Sequence, residues 1–378
     1  MNLIFKWVPQ LADLSMEAWN ELAAPIVNPF MDWEWLQNLE QTGCVHEDTG
    51  WLPCHLTVWR EQSLIAAAPM YIKTHSWGEF VFDQFWARAA MAFQLPYYPK
   101  LVGMSPFSPV AGYRFLIAPG EHKAAIQAAM LDVICTFCQR NQLGGFHLLH
   151  IDPEWRNEMA PLGLHAWQHY GLVWENRDFA NFNDYLGQFR SHRRKTIRRE
   201  RQKIQEQAIS FSTLTGPEIT ESAIQNMYRF YTDTCAKYWG GSQYLHAETF
   251  LSMQKNFSHR MVLMQAHGPD SDMPMAMSLL LRKDDHLYGR YWGCQENVDG
   301  LHFETCYYQP IEWAISQGIR WYDAGSGGTQ HKHRRGFPAQ SKFSLHKLFN
   351  PAVDQIWRHH LPQINQETQE HLDQLNLT

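Results

Sequence analysis

The chain has 378 residues, of which 45% are hydrophobic and 14% aromatic, and its net charge at pH 7 is −6 with histidine neutral. This much apolar area is enough for two cores and excludes a largely disordered chain. The amino end lacks the basic start and apolar run of a secretory signal, and no stretch is apolar for long enough to span a membrane. Seven scattered cysteines are typical of reduced thiols, so we expect a cytoplasmic protein without a membrane span.

The amino half is predicted to begin with a helix and then to run in the order hairpin, loop, strand, helix, strand. Apolar periodicity and alternation give these elements, and a polar turn at 60–63 joins the two strands of the hairpin. The expected bounds are 33–42 for the first helix, 52–59 and 64–73 for the hairpin, 113–117 for the next strand, about 121 for the start of the second helix, and 145–151 for the last strand.

The carboxyl half is predicted to repeat this order. The expected strands are 261–266, 276–282, 287–293 and 319–323, with a helix at 301–317 that Gly318 ends. The two halves do not align as sequence, so the repetition is one of element order only. We therefore predict two domains, residues 1–178 and 179–378, the second beginning with a basic helix.

This basic segment lies between the two halves. Residues 190–203 carry eight Lys or Arg and one Glu, and periodicity predicts a helix over 183–207. Arg193 and Glu200 lie on its apolar stripe, so Arg193 needs a fixed anion, either Glu200 or a ligand phosphate. The surrounding charged face includes Arg194, Lys195 and Arg198. Such a face fits an RNA backbone or another polyanion, and an exposed helix paired with acidic residues elsewhere is the alternative.

A second informative segment covers residues 321–337, where a strand end leads into a Gly-rich loop and then into a basic run. Gly327 and Gly328 allow backbone N–H groups to approach a phosphate or a developing oxyanion closely. The cationic or titratable side chains that follow include His331, Lys332, Arg334 and Arg335. The segment predicts a substrate site, and an ordinary glycine turn before a solvated basic patch is the alternative.

Two patterns together resemble a known family. The first pattern is a helix that ends at 311–318 and is followed directly by a strand, the Gly-rich loop and the basic run. The second pattern is the stretch 191–201 in the basic helix. This combination is similar to the FemAB-like group, of the peptidoglycan biosynthesis/recognition type, in the GNAT acyltransferase superfamily. The resemblance implies an α/β fold of two tandem GNAT-like domains, each a mixed, mainly antiparallel sheet flanked by helices.

The resemblance also implies an enzyme that transfers an acyl group, in the Fem branch from aminoacyl-tRNA, to an amine. In that branch a Lys after the Gly-rich loop neutralises charge on the substrate or transition state, and Lys332 matches it best. Asp323, at the strand end, could orient the amine or act as its base, and capping the glycine turn is an equal alternative. We expect no tightly bound cofactor, with aminoacyl-tRNA or acyl-CoA as co-substrate and a tRNA or nucleotide-linked substrate as partner.

The choice of donor depends on a departure from ordinary GNAT enzymes. Those enzymes carry an Arg or Gln, two residues, and then Gly-x-Gly or Gly-x-Ala where the pyrophosphate of coenzyme A binds. Residues 295–302 and 118–123 occupy that place in the two halves and lack the pattern, so coenzyme A is disfavoured. Two alternatives remain: an acyl-CoA-dependent N-acetyltransferase acting on a small amine, and a non-catalytic binding protein for an anionic polymer or cell-wall fragment.

Aromatic loops that contain lysine could form the rim of a cleft. Tyr98, Lys237 and Trp239 belong to such loops, although packing is the commoner role for each. His331 and His333 are the best case for a metal, but no third ligand stands at a convincing spacing, so we predict no metal site.

Overall fold

The computed structural model describes residues 3–238 and 243–377, which form two compact units. Unit 1 contains Met1–Tyr170 together with Ser341–Thr378, and unit 2 contains Gly171–Gln340. The change of unit after Tyr170 lies near the predicted boundary after residue 178. The predicted second domain, however, extends too far, because Ser341–Thr378 packs within unit 1.

The amino-terminal part of unit 1 contains most of the elements that were predicted for the amino half. Its strands are β1 (Leu3–Val8), β2 (Trp51–Pro53), β3 (His55–Arg60), β4 (Ser63–Ala68), β5 (Met70–Lys73), β6 (Lys100–Gly103), β7 (Leu116–Ile117) and β8 (Gly145–Ile151), and β9 (His165–Glu175) begins in unit 1 and ends in unit 2. Its helices are α1 (Met16–Ala23), α2 (Trp33–Gln41), α3 (Gln84–Ala92), α4 (Lys123–Arg140) and α5 (Trp155–Met159). One sheet has the order β1-β3-β4-β7, and β2, β5, β6 and β8 are neighbours in a second sheet.

The predicted hairpin is present, but its strands are divided between the two sheets of unit 1. β3 and β4 pair antiparallel, with Thr57 opposite Ala67. The chain leaves this sheet at Cys54 and Pro69, so β2 and β5 pair with each other instead. Proline lacks the N–H that a continuous ladder needs, which explains the break at Pro69. The strand predicted at 113–117 is shorter than expected, because only β7 and an isolated bridge at Tyr113 form.

In unit 2, helices lie along the chain between the strands of a sheet. The helices are α6 (Phe182–Gly187), α7 (Ser191–Glu206), α8 (Glu221–Tyr238), α9 (Ala247–Asn256), α10 (Leu301–Phe303), α11 (Gln309–Ser316) and α12 (Thr329–His333), and the strands are β10 (Ser210–Thr215), β11 (Met261–His267), β12 (Pro274–Lys283), β13 (His286–Cys294) and β14 (Trp321–Asp323). The sheet order is β10-β11-β12-β13-β14-β9. All neighbours are antiparallel except β13 and β14, which are parallel.

The predicted helix at 301–317 is interrupted by a π-helical segment, Glu304–Tyr308, between α10 and α11. The Thr305 carbonyl accepts a hydrogen bond from Ser278 Oγ at 2.9 Å, and the Cys306 carbonyl accepts one from Tyr322 Oη at 2.6 Å. In both hydrogen bonds, a backbone carbonyl of the π-helical segment accepts from a side chain outside it. π-Helical turns are often found at functional sites.

The carboxyl end of the chain completes unit 1. It forms strand β15 (Ala339–Leu348) and the long helix α13 (Pro351–Leu377). β15 pairs antiparallel with β8, with Leu345 opposite Leu148. Trp357 of α13 is fully buried in a cluster with Trp86, Ala90, Tyr97, Leu348, Val353 and Leu361. This apolar burial is the physical reason why the segment belongs to unit 1.

The basic helix, α7, is shorter than the predicted helix at 183–207. α6 ends at Gly187, and α7 begins after Arg190, whose backbone is extended at φ −61° and ψ 154°. Phe189, between them, packs on Tyr185 with 5.2 Å between ring centroids. A Cβ at Gly336 would lie 2.9 Å from the Phe189 ring, so the glycine makes room for this aromatic side chain. Ile197 and Ile204, the buried apolar residues of α7, are each 1% exposed.

Candidate functional site

The Gly-rich loop, residues 325–328, follows β14 in unit 2. Gly325, Gly327 and Gly328 have φ values of +79°, +76° and +63°, which side chains with a Cβ rarely adopt. Asp323 is 6% exposed, and its Oδ1 accepts a hydrogen bond from the Gly325 N–H at 2.9 Å. This is the turn-capping contact that the sequence offered as one role for Asp323.

Lys332 lies under this loop rather than in solvent. The residue belongs to the short helix α12 and is 2% exposed. Its Nζ donates hydrogen bonds to the carbonyl of Gly325 and, at 3.3 Å, to that of Ser326. A buried ammonium therefore holds the backbone of the Gly-rich loop, and its positive charge lies next to the loop.

Arg335 forms a buried ion pair with the basic helix. Its side chain is 5% exposed, and its Nη2 donates to Glu200 Oε2 at 2.8 Å. The guanidinium also lies 3.4 Å from the centroid of the Phe303 ring, a cation–π contact. Tyr308 donates its hydroxyl hydrogen to the same Glu200 oxygen. Glu200 thus joins α7 both to the segment after the Gly-rich loop and to the π-helical segment.

Arg193 does not bind Glu200, which corrects one of the two partners expected for it. It is half-buried, and its Nη1 donates to the Arg334 carbonyl at 3.1 Å. Arg201 has acidic partners far along the chain, since it binds Glu304 at 2.9 Å and Glu312 at 2.7 Å. These contacts fix the basic helix onto the elements that carry the loop.

Three exposed basic side chains of α7 differ from the exposed Lys203, which pairs with Asp299 at 2.6 Å. Lys195, Arg198 and Arg199 are exposed, and no ion pair to them is found among the residues that the structure describes. Arg194 differs from them because it is half-buried and donates to the Phe189 carbonyl at 2.9 Å. We call Lys195, Arg198 and Arg199 the basic face. Its charges are available to an external anion.

Burial keeps three titratable side chains near the Gly-rich loop neutral, namely His302, Cys306 and Tyr308. Burial, followed by the positive charges of Arg335 and Lys332, lowers the pKa of His302 to about 4. Burial raises the pKa of the Cys306 thiol although Lys332 acts in the opposite direction. The pKa of Tyr308 is likewise raised, first by burial. The fixed charge of the region therefore comes from the cations and the carboxylates that bind them.

The remaining predicted site residues are distributed between the units. Gly327, Gly328, His331 and Arg334 are exposed around the loop in unit 2. Lys237 is exposed in the last turn of α8, also in unit 2. Tyr98 belongs to unit 1, where its hydroxyl lies 2.7 Å from Ser76 Oγ. Trp239 lies outside the described residues.

Sequence reasoning missed the residues that connect the basic helix to the segment after the Gly-rich loop. Glu304 and Tyr308 were predicted only as part of an ordinary helix, and Phe303 was not singled out. A signal was present, because Glu304 and Tyr308 are four residues apart and so lie on the same face of a helix. Their partners, Arg201 and Glu200, could not be inferred from that spacing.

No group of three or more His, Cys, Asp or Glu in the described parts of the chain could hold a metal ion. All seven cysteines are free thiols. Of the helices that the structure describes, none is both long and apolar enough to cross a membrane.

Comparison with known proteins adds the following. The model of the FemAB-like family, described as peptidoglycan biosynthesis/recognition, matches residues 10–378. The crystal structure of FemX matches with a TM-score of 0.57 and 9% identity over 94% of this chain and 99% of FemX. The C-terminal domain of a putative lysylphosphatidylglycerol synthetase from Agrobacterium fabrum has a TM-score of 0.55 and 10% identity, over 91% and 95% of the two chains. L-PGS from Bacillus licheniformis has a TM-score of 0.52 and 8% identity, over 88% and 97%. No curated protein matches the sequence.

These likenesses confirm the predicted α/β fold. At identities of 8–10% they concern the fold alone.

Proposed function

The chain belongs to the FemAB-like family and is an acyltransferase of the Fem-like type, and from this premise we propose that it transfers an aminoacyl group from aminoacyl-tRNA to an amine. One observation carries the choice of donor: the basic face of α7 is fixed onto the elements of the Gly-rich loop by the Arg335–Glu200 pair. A tRNA whose phosphates lie on the basic face would bring its aminoacylated end toward the Gly-rich loop. Phosphate contacts of this kind position a nucleic acid without reading its sequence.

Lys332 is proposed as the group that stabilises the transition state. When the amine attacks, negative charge develops on the acyl oxygen, and a fixed cation next to the loop lowers the energy of that charge. The attacking nitrogen loses a proton and the leaving ribose oxygen gains one. Asp323 is proposed to position the loop through Gly325 and remains the candidate base for the amine.

The acceptor is proposed to be an amine of a peptidoglycan precursor or another nucleotide-linked substrate. The support comes from the exposed side chains His331 and Arg334 and the exposed backbone of Gly327 and Gly328. Arg335 is less suited to bind substrate phosphate than the sequence suggested, because Glu200 already neutralises its charge. A cytosolic location is part of the proposal, and the free cysteines support it.

The test is an assay of donor consumption. The purified chain is incubated with tRNA carrying radiolabelled amino acids, or with a panel of acyl-CoA thioesters, in the presence and absence of amine acceptors. We expect acceptor-dependent loss of one aminoacyl-tRNA. Turnover of a CoA thioester alone would replace this proposal with the acyl-CoA reaction, and anion binding without turnover of any donor would favour a non-catalytic binding protein.

A further inference from the structure

Exposed large apolar side chains are concentrated in one segment of unit 1. Trp77, Phe82, Phe85, Met91 and Phe93 are 59%, 69%, 62%, 71% and 66% exposed, respectively. We call these five residues the aromatic patch. The other exposed large apolar residues in the described chain are scattered and include no Phe or Trp. Single exposed apolar residues need no explanation, whereas a concentration of them marks an interaction surface.

The helix that carries part of this patch is firmly held. α3 buries Trp86 and Ala90, which are 2% and 1% exposed. The Trp86 ring stacks on Trp357 with 4.3 Å between centroids and meets Trp167 edge-on at 6.2 Å. The opposite side of α3 is therefore exposed although the helix is well packed.

A cavity of about 430 Å³ opens along the same helix. This volume lies within the range of about 300–1,000 Å³ that is usual for small-ligand sites. Its walls combine apolar groups with a few polar ones, namely Ala87, Met91, Leu95, Pro96, Tyr97 and Tyr98 with Gln84, Arg88 and Gln94. Met91 belongs to both the cavity and the aromatic patch, so the two features are continuous.

The charges around the patch favour an anionic occupant. Glu79 and Asp83 are buried and bind Lys100 Nζ at 2.7 and 2.5 Å, so their charges do not reach the surface. Burial lowers the pKa of His75, which leaves it neutral at pH 7. Arg88 is exposed and is the one formally charged side chain at the surface of residues 74–99.

We propose that the aromatic patch docks unit 1 onto an anionic lipid bilayer, with Arg88 at a lipid phosphate and one acyl chain in the cavity. Aromatic side chains are favoured at the bilayer interface, and exposed basic residues are attracted to anionic headgroups. A second copy of the chain fits less well. In a two-fold interface the patch would face itself, and Arg88 would meet Arg88 without an acidic partner.

The experiment measures co-sedimentation of the full chain with phosphatidylcholine vesicles, with and without phosphatidylglycerol. Wild type should bind the anionic vesicles. The variant Phe82→Ser/Phe85→Ser/Phe93→Ser should bind at least about tenfold less, and Arg88→Gln should lose the preference for phosphatidylglycerol. Ile4→Ser/Leu52→Ser/Met273→Ser is the matched control, because these apolar residues are exposed but lie outside the patch.

Three results would overturn the docking proposal. The first is absence of binding to both kinds of vesicle, and the second is equal binding by wild type and the patch variant. The third is a patch-dependent dimer in sedimentation velocity without vesicle binding, which would assign the patch to a second copy. Because docking is independent of the acyl donor, donor consumption with water-soluble acceptors should be the same in wild type and the patch variant.

Discussion

Lys332 shows how the environment of one residue changes the expected effect of replacing it. From the sequence it is a loop cation, and removing a solvated cation costs little stability. In the structure it is 2% exposed and bonded to two carbonyls of the Gly-rich loop. Its replacement is therefore expected to affect both the loop and the folded state.

Lys332→Met should abolish transfer and lower the free energy of unfolding by about 1–3 kcal/mol, because two carbonyls of the Gly-rich loop lose a charged donor. Urea unfolding and the donor-consumption assay measure the two effects. Arg334→Met is the control for stability only, since Arg334 is exposed beside the same loop. An unchanged unfolding midpoint for Lys332→Met would show that the ammonium does not hold the loop.

Glu200→Gln should destabilise the chain by about 1–3 kcal/mol, because the nearly buried guanidinium of Arg335 loses its counter-charge. The partial exposure of Glu200, 24%, keeps the expected cost below that of a fully buried pair. Glu206→Gln, on an exposed position of the same helix, is the control. Equal urea midpoints for the two variants would contradict a structural role for the ion pair.

At the scale of elements, the basic helix has two distinct sides. Arg201 and the Glu200 contacts anchor one side to the rest of unit 2, while Lys195, Arg198 and Arg199 remain in solvent. The sequence grouped these residues by charge alone. The structure separates those that stabilise the fold from those that could bind a polyanion.

Replacing Lys195, Arg198 and Arg199 together by Gln should weaken tRNA binding and reduce the slope of log K against log salt by roughly 2–3, as expected for three lost phosphate contacts. Filter binding over a range of salt concentrations measures the slope. Lys123→Gln/Arg140→Gln/Lys255→Gln removes three exposed basic residues from other helices and should leave the slope unchanged. Equal slopes for both triple variants would exclude the basic face from RNA binding.

At the scale of the whole molecule, buried histidines link stability to pH. His147 Nδ1 lies 2.6 Å from His346 Nδ1, and Ser344 Oγ lies 2.7 Å from a ring nitrogen of both His346 and His169. Burial lowers the pKa of His169 to about 3, and the pKa values of His147 and His346 are also well below the usual range.

The histidine cluster should make the protein less stable in mild acid. Below a pH of about 6.5 the unfolded chain binds protons that the folded chain excludes, so stability falls with pH. Glu79, whose pKa burial raises to about 7, acts in the opposite direction. The three clustered histidines and Glu79 together should contribute a net loss of about 2 kcal/mol from pH 7 to 5.5.

Urea unfolding at the two pH values measures this loss. His346→Gln should reduce it by about 1 kcal/mol, and His359→Gln, at an exposed position, should not change it. A wild-type stability that is equal or higher at pH 5.5 would show that the histidines are not held neutral.

The sequence by itself determined the local structure and the family resemblance. Helices α2 and α4, the β3–β4 hairpin and strands β8, β11, β12 and β13 follow from periodicity and turn residues, which act over a few neighbouring positions. The Gly-rich loop and the basic helix were likewise visible, because glycine spacing and charge clusters are local patterns.

Tertiary structure alone decided how these pieces meet. The Arg335–Glu200 pair joins residues 135 positions apart, and the burial of Trp357 draws the carboxyl end into unit 1. The breaks at Pro69 and after Gly187, the burial of Lys332 and the exposure of the aromatic patch depend on the same long-range packing. Local sequence patterns specify which side chains are available, whereas contacts between distant segments select which of them are buried, paired or exposed.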